Sequence, residues 1–235
     1  MATRLPASTT AWIFANIIDG MNKLLSSRWT KAALFVLCLV PFLLLLWRFH
    51  KDDLGANPVE TITHGTGDWT IRFVLITLCV TPLRRLLNLP KLARFRRMLG
   101  LFAFFYGVLH FTTWLWLDKA FDLGDMWKDI LKRRFITVGM LGLILMIPLG
   151  ITSTAGWVRR LGFQRWQLIH RLIYFTALAG VIHYYWLVKS DVRLPLMYGG
   201  ILTLLMLYRF NMWRSTARKP EHAAKPSYAP ASKQT

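Results

Sequence analysis

The chain has 235 residues, 54% of them hydrophobic, and sets 30 Lys and Arg against 11 Asp and Glu for a formal charge of +19. The charges gather in short clusters between long apolar runs, which excludes an ordinary soluble domain and indicates a membrane protein. Nucleic acid is excluded as a partner, because there is no solvated domain to present the basic residues to a phosphate backbone.

The first 30 residues read as a cytoplasmic N-terminal segment. Within it Thr9 to Leu25 is weakly amphipathic, and no clean apolar core ends at a small-residue cleavage site, so no signal peptide is expected. Residues 31–213 then hold six segments near the ~20 residues a helix needs to cross a bilayer. They are Lys31–Phe49, Trp69–Leu87, Met98–Leu117, Phe135–Val158, Trp166–Val188 and Leu194–Trp213. In the second, Arg72 and Arg84 bracket the apolar stretch and are expected to snorkel to opposite interfaces. Pro41, Pro82 and Pro148 fall inside segments, where kinks are tolerated if neighbours satisfy the freed backbone. Residues 214–235 are polar, with Pro220, Pro226 and Pro230, and read as a disordered cytoplasmic tail. Cys38 and Cys79 lie in apolar runs without metal or redox spacing and read as packing residues.

Basic residues fix the orientation. Arg28 and Lys31, the run from Arg84 to Arg97, the Arg159, Arg160 and Arg165 group, and the tail belong on the cytoplasmic side. The alternate loops mix signs, although Lys132, Arg133 and Arg134 fit less well. The expected fold is therefore all-α, an integral membrane bundle of six transmembrane helices with both termini cytoplasmic.

Ionisable residues inside spans are functional candidates by default, and three of the six histidines lie there: His110, His170 and His183. His64 is expected just outside the second span. The stretches YGVLH and AGVIH put Gly107 and Gly180 one turn before His110 and His183, clearing space beside each imidazole. Small residue plus histidine on two helices suits a haem, a flat macrocycle whose iron takes axial imidazoles. The alternative is plain helix packing with interhelical hydrogen bonds. His170 and His183 are 13 residues apart, so on a straight helix they face different flanks; the helix must bend or be approached from two sides.

The stretches LGANPVETITHGTG, TPLRRLL, RRMLGLFAFFYGVLH, ITSTAGWVRRLGFQRWQLIHRLIYF and IHYYWLVKSD resemble the ferric-reductase-like transmembrane family, which includes ferric reductases and the membrane domain of NADPH oxidases. Among its members the chain is most similar to haem-binding subunits serving a bacterial periplasmic methionine sulfoxide reductase. The resemblance runs from about Lys31 to Trp213 and implies a haem b held by His110 and His183. It matches His170 to the ligand of a second, inner haem. The partner position 14 residues before His110 is Arg96, which cannot ligate iron but can pair with a propionate, as can Arg171. A second haem therefore needs another ligand, with His64 a weaker candidate.

The resemblance further implies electrons from membrane quinol, a bound FMN, an inner-membrane location, and delivery to a periplasmic molybdenum-containing subunit that reduces methionine sulfoxide. The chain itself would not reduce the sulfoxide. No glycine-rich flavin fingerprint is visible, and the stretch after Trp213 is too short for a flavin and nicotinamide domain. Two other function classes compete: a stand-alone ferric reductase or other di-haem cytochrome b, and a haem-free transporter or assembly protein.

Overall fold

A computed structural model describes residues 9–217, and every regular element among them is helical. In chain order these are α1 (Thr9–Ser26), α2 (Arg28–His50), α3 (Pro58–Leu86), a 3-10 turn (Pro90–Phe95), α4 (Arg96–Thr113) with a π turn (Trp114–Asp118), α5 (Leu123–Lys132), α6 (Arg134–Ile151), α7 (Ala155–Ile169), α8 (Leu172–Leu187) and α9 (Arg193–Ala217). Three segments are long and apolar enough to cross a bilayer by themselves: α2, the stretch Pro90–Asp118 that contains α4, and α6. α8 is apolar but shorter.

α3 packs chiefly on α4, and α6 on α8, while α9 closes against α3 and α8. Ala103 on α4 and Ala177 on α8 are fully buried, small residues of the kind that let helix backbones approach. Aromatic rings fill the α3–α4 seam, where Phe73 stacks on Tyr106 at 5.3 Å and on Phe102 at 5.8 Å. α2 lies at the periphery. It buries Cys38 alone and exposes Val36, Leu37, Leu43, Leu44 and Trp47, a surface that only an apolar solvent would favour.

Two prolines sit beside polar side chains that repair the helices they interrupt. Pro82 has no N–H for the carbonyl of Leu78, one helical turn back. Arg209 of α9 donates its Nη2 to that oxygen at 2.9 Å and its Nη1 to the Tyr174 hydroxyl at 2.8 Å. Next to Pro41, the buried Tyr106 hydroxyl accepts from Phe42 N–H at 3.1 Å and donates to the Cys38 carbonyl at 2.9 Å. One phenol thus bridges a whole rung of α2 and ties it to α4.

Four expectations require correction. α3 starts at Pro58, not near Trp69, so ETITHGTG is helical and His64 lies inside a helix instead of before it. Asn57 caps it, accepting from Glu60 N–H at 3.2 Å while its own amide donates to the Glu60 carboxylate at 3.0 Å, with Pro58 at the first helical position. The expected span Phe135–Val158 stops at Ile151, and α7 begins after a Thr154 cap. The expected span Trp166–Val188 is broken at His170 and Arg171, so Arg171 sits at a helix junction and not within a continuous span. Residues 214–217 continue α9; the remainder of the expected tail lies outside the described residues, as do residues 1–8 of the N-terminal segment.

The loop after α4 contains a helix that its mixed charges had obscured. α5 is capped by Asp122, whose carboxylate accepts from Asp125 N–H at 3.0 Å. Lys119 clamps it through Asp125 at 2.7 Å and Asp129 at 2.5 Å, and Arg133 adds a pair to Asp129 at 3.2 Å.

Candidate functional site

α4 and α8 carry His110 and His183, and packing through α3 and α6 brings the two rings together. Their centroids are 6.0 Å apart and their planes are inclined by 77°. His110 Nδ1 lies 2.9 Å from the Thr63 carbonyl of α3, and His183 Nδ1 lies 2.7 Å from the Phe135 carbonyl of α6. A carbonyl oxygen only accepts, so each Nδ1 carries the proton, and each Nε2 is left with a lone pair. Neither Nε2 makes a hydrogen bond among the described residues. Metal-bound histidines are tied in this same way, with the far nitrogen donating to a carbonyl that fixes tautomer and ring orientation.

The spacing fits one metal between the rings. Two metal–nitrogen bonds of about 2 Å, plus roughly 1 Å from each nitrogen to its ring centre, put the centroids about 6 Å apart. No group of three or more His, Cys, Asp or Glu suited to a metal exists among the described residues. Two imidazoles alone do not complete a free ion's coordination, whereas a porphyrin iron needs only such an axial pair. The residues present therefore fit a haem.

The glycines that admit the rings are not the expected ones. A Cβ on Gly67 of α3 would lie 3.0 Å from His110 Cε1, and one on Gly139 of α6 would lie 2.7 Å from His183 Nδ1. Gly107 instead meets Met146 and Thr70, and Gly180 meets Ile71, so these two serve helix–helix packing. Gly67 and Gly139 act across helix contacts, where no spacing along one helix reports on them. THGTG and TVGMLG did contain the small residues, but without a register to their partners.

His170 belongs to a separate layer. It caps α7, where its ring lies 4.1 Å from that of Trp166. The Thr152 hydroxyl donates to the Pro148 carbonyl at 2.6 Å, so it accepts from His170 Nε2–H at 3.1 Å. This leaves Nδ1 as the nitrogen with a lone pair, the reverse of the arrangement at His110 and His183. The helix break here resolves the rotation problem, since His170 and His183 no longer share one straight axis. Arg96 opens α4 with its side chain exposed, and its charge and that of Arg97 both act on His170. The Arg171 side chain is exposed and makes no hydrogen bond or ion pair among the described residues. His64 is half exposed, 4.0 Å from Glu60, and is not part of the paired site.

Comparison with known proteins identifies the family. Residues 66–181 match the family described as ferric reductase like transmembrane component, a stretch from mid-α3 into α8. A protein-methionine-sulfoxide reductase heme-binding subunit MsrQ from Herminiimonas arsenicoxydans is 51% identical over 80% of this chain and 88% of its own length. MsrQ proteins from Caulobacter vibrioides and Polaromonas naphthalenivorans are 48% and 43% identical, over 77% and 87% of this chain and 87% and 95% of their own lengths. With so much of each relative covered, the chain belongs to the MsrQ family of ferric-reductase-like transmembrane proteins.

Proposed function

We propose that this chain is a b-haem electron-transfer subunit of the bacterial inner membrane, taking electrons from the quinone pool and handing them to a periplasmic molybdenum-containing methionine sulfoxide reductase. The observation that carries this reading is the His110–His183 pair, with both Nδ1 groups tied to carbonyls and rings spaced for one iron. The names of its relatives, which call them heme-binding subunits of a protein-methionine-sulfoxide reductase, support it further. The six-helix topology with both termini cytoplasmic is part of the proposal, with α2, α3, α4, α6, α8 and α9 as the spans.

His110 and His183 would hold the haem through Nε2. Bound there, it supplies one-electron chemistry. Thr63 and Phe135 lock the imidazoles in the ligating tautomer, and Gly67 and Gly139 leave room for them against α3 and α6. Buried neighbours such as Tyr106 and Met146 exclude water from this layer. His170 is the candidate for a second haem, with Arg96 and Arg171 as propionate partners, and it would have to release Thr152 to ligate through Nε2. FMN rests on the resemblance, and no residue is assigned to it.

The test is stepwise reconstitution. In proteoliposomes, a short-chain quinol should reduce the haem band, and adding the molybdenum subunit with methionine sulfoxide should reoxidise it. Reoxidation by soluble ferric chelate with no response to the partner would instead establish a stand-alone ferric reductase.

A further inference from the structure

At the inner end of the bundle as proposed here, α2, the 3-10 turn and α4 line an open groove of about 560 Å3. Its α2 wall is one helical stripe, since Arg28, Lys31, Ala32, Phe35 and Val36 fall at i, i+3, i+4, i+7 and i+8. Along this stripe the chemistry changes from cationic to apolar over the seven helical steps from Arg28 to Phe35, a rise of about 10 Å. Arg94 adds a third cation from the facing side, and Met98 adds apolar surface below it. Phe35 closes the floor edge-on against Phe102 at 5.1 Å.

No carboxylate lines the groove. None of the three cations forms an ion pair among the described residues. Arg94 gives one N–H to the Leu25 carbonyl at 2.8 Å, which orients its guanidinium and leaves its other donors for a ligand. Three cations above an apolar floor complement a molecule with an anionic head and hydrocarbon tail. A quinone has the tail but a neutral head, and would leave the cations without a counter-charge.

We propose that this groove holds one anionic phospholipid, its phosphate among Arg28, Lys31 and Arg94 and an acyl chain along Phe35, Val36 and Met98. The site is remote from the paired histidines and does not depend on haem.

Native mass spectrometry of the delipidated full-length protein tests the proposal, with phosphatidylglycerol, phosphatidylcholine and decylubiquinone as separate probes. One phosphatidylglycerol should be retained in roughly tenfold or greater preference to phosphatidylcholine. The double variant R28Q/K31Q alters exposed side chains only, so it should keep its circular dichroism and melting profile while losing that preference. Equal retention of the two phospholipids would overturn the proposal, as would a preference that survives in R28Q/K31Q. Displacement of phosphatidylglycerol by decylubiquinone would also overturn it, by making the groove a quinone site.

Discussion

His183 sits so close to Gly139 that a methyl group there would fall 2.7 Å from its Nδ1, the atom that also holds the Phe135 carbonyl. Gly139→Ala must therefore push the imidazole off its carbonyl. Losing such an outer contact weakens metal retention by about 10- to 100-fold, and titration of the purified apoprotein with hemin would measure it. Gly107→Ala, which meets only the end of Met146 and a Thr70 methyl at 3.5 Å, should leave hemin affinity near that of the parent. The contrast separates the glycines that face the rings from those the sequence singled out. His110 and His183 themselves were legible, because an ionisable residue in an apolar run stands out without any knowledge of the fold. Gly67 and Gly139 were not, because their meaning arises only when α3 meets α4 and α6 meets α8.

Elements here are held by a few polar side chains that cross between helices. Tyr106→Phe keeps the ring stacked on Phe73 but removes the hydroxyl that bridges Cys38 and Phe42, at a cost of about 1–3 kcal/mol. A lower melting temperature with an unchanged absorption spectrum is the expected result. Arg209→Met should be destabilising for a parallel reason, since the carbonyl that Pro82 orphans at Leu78 loses its donor. The α3 boundary was in principle readable: Asn57, Pro58 and Glu60 form a helix start, yet the polar run Thr61 to Gly67 reads as a loop. The break before α8 was foreshadowed by helix rotation, although rotation alone does not distinguish a break from two-sided access. α5 carried local signals, the Asp122 cap and apolar Leu123, Met126, Trp127 and Ile130 at helical spacing, but its mixed charges made the stretch read as a loop.

The Lys119 clamp gives a pH dependence with a definite sign. The hydrogen bond that Lys119 donates holds the Asp125 carboxyl below its usual range, and the acceptor carboxylates of Asp125 and Asp129 hold the Lys119 ammonium above its own. The carboxylate contribution is present above the ordinary value of about 3.9 and is lost as pH falls through the depressed one. The lysine contribution is present below about 10.4 and is lost as pH rises through the elevated one. Amide protection of α5, corrected for intrinsic exchange, should be flat across neutral pH and fall on acidification below pH ~4. Lys119→Met should lower it at neutral pH as well.

For the whole molecule, apolar run lengths and basic clusters made the helical membrane architecture legible, because bilayer thickness and backbone satisfaction leave few alternatives. The site is assembled at long range: α4 and α8 supply the two proposed ligands, while α3 and α6 supply the carbonyls and the gaps. The proposed electron transfer requires that the two neutral imidazoles share one iron. The most direct measurement is the pyridine haemochrome and dithionite-reduced spectrum of the purified chain beside His110→Ala and His183→Ala. A b-type signal in the parent and loss of most of it in each variant is the expected result. A parent without b-type haem, or two variants with undiminished haem, would contradict it.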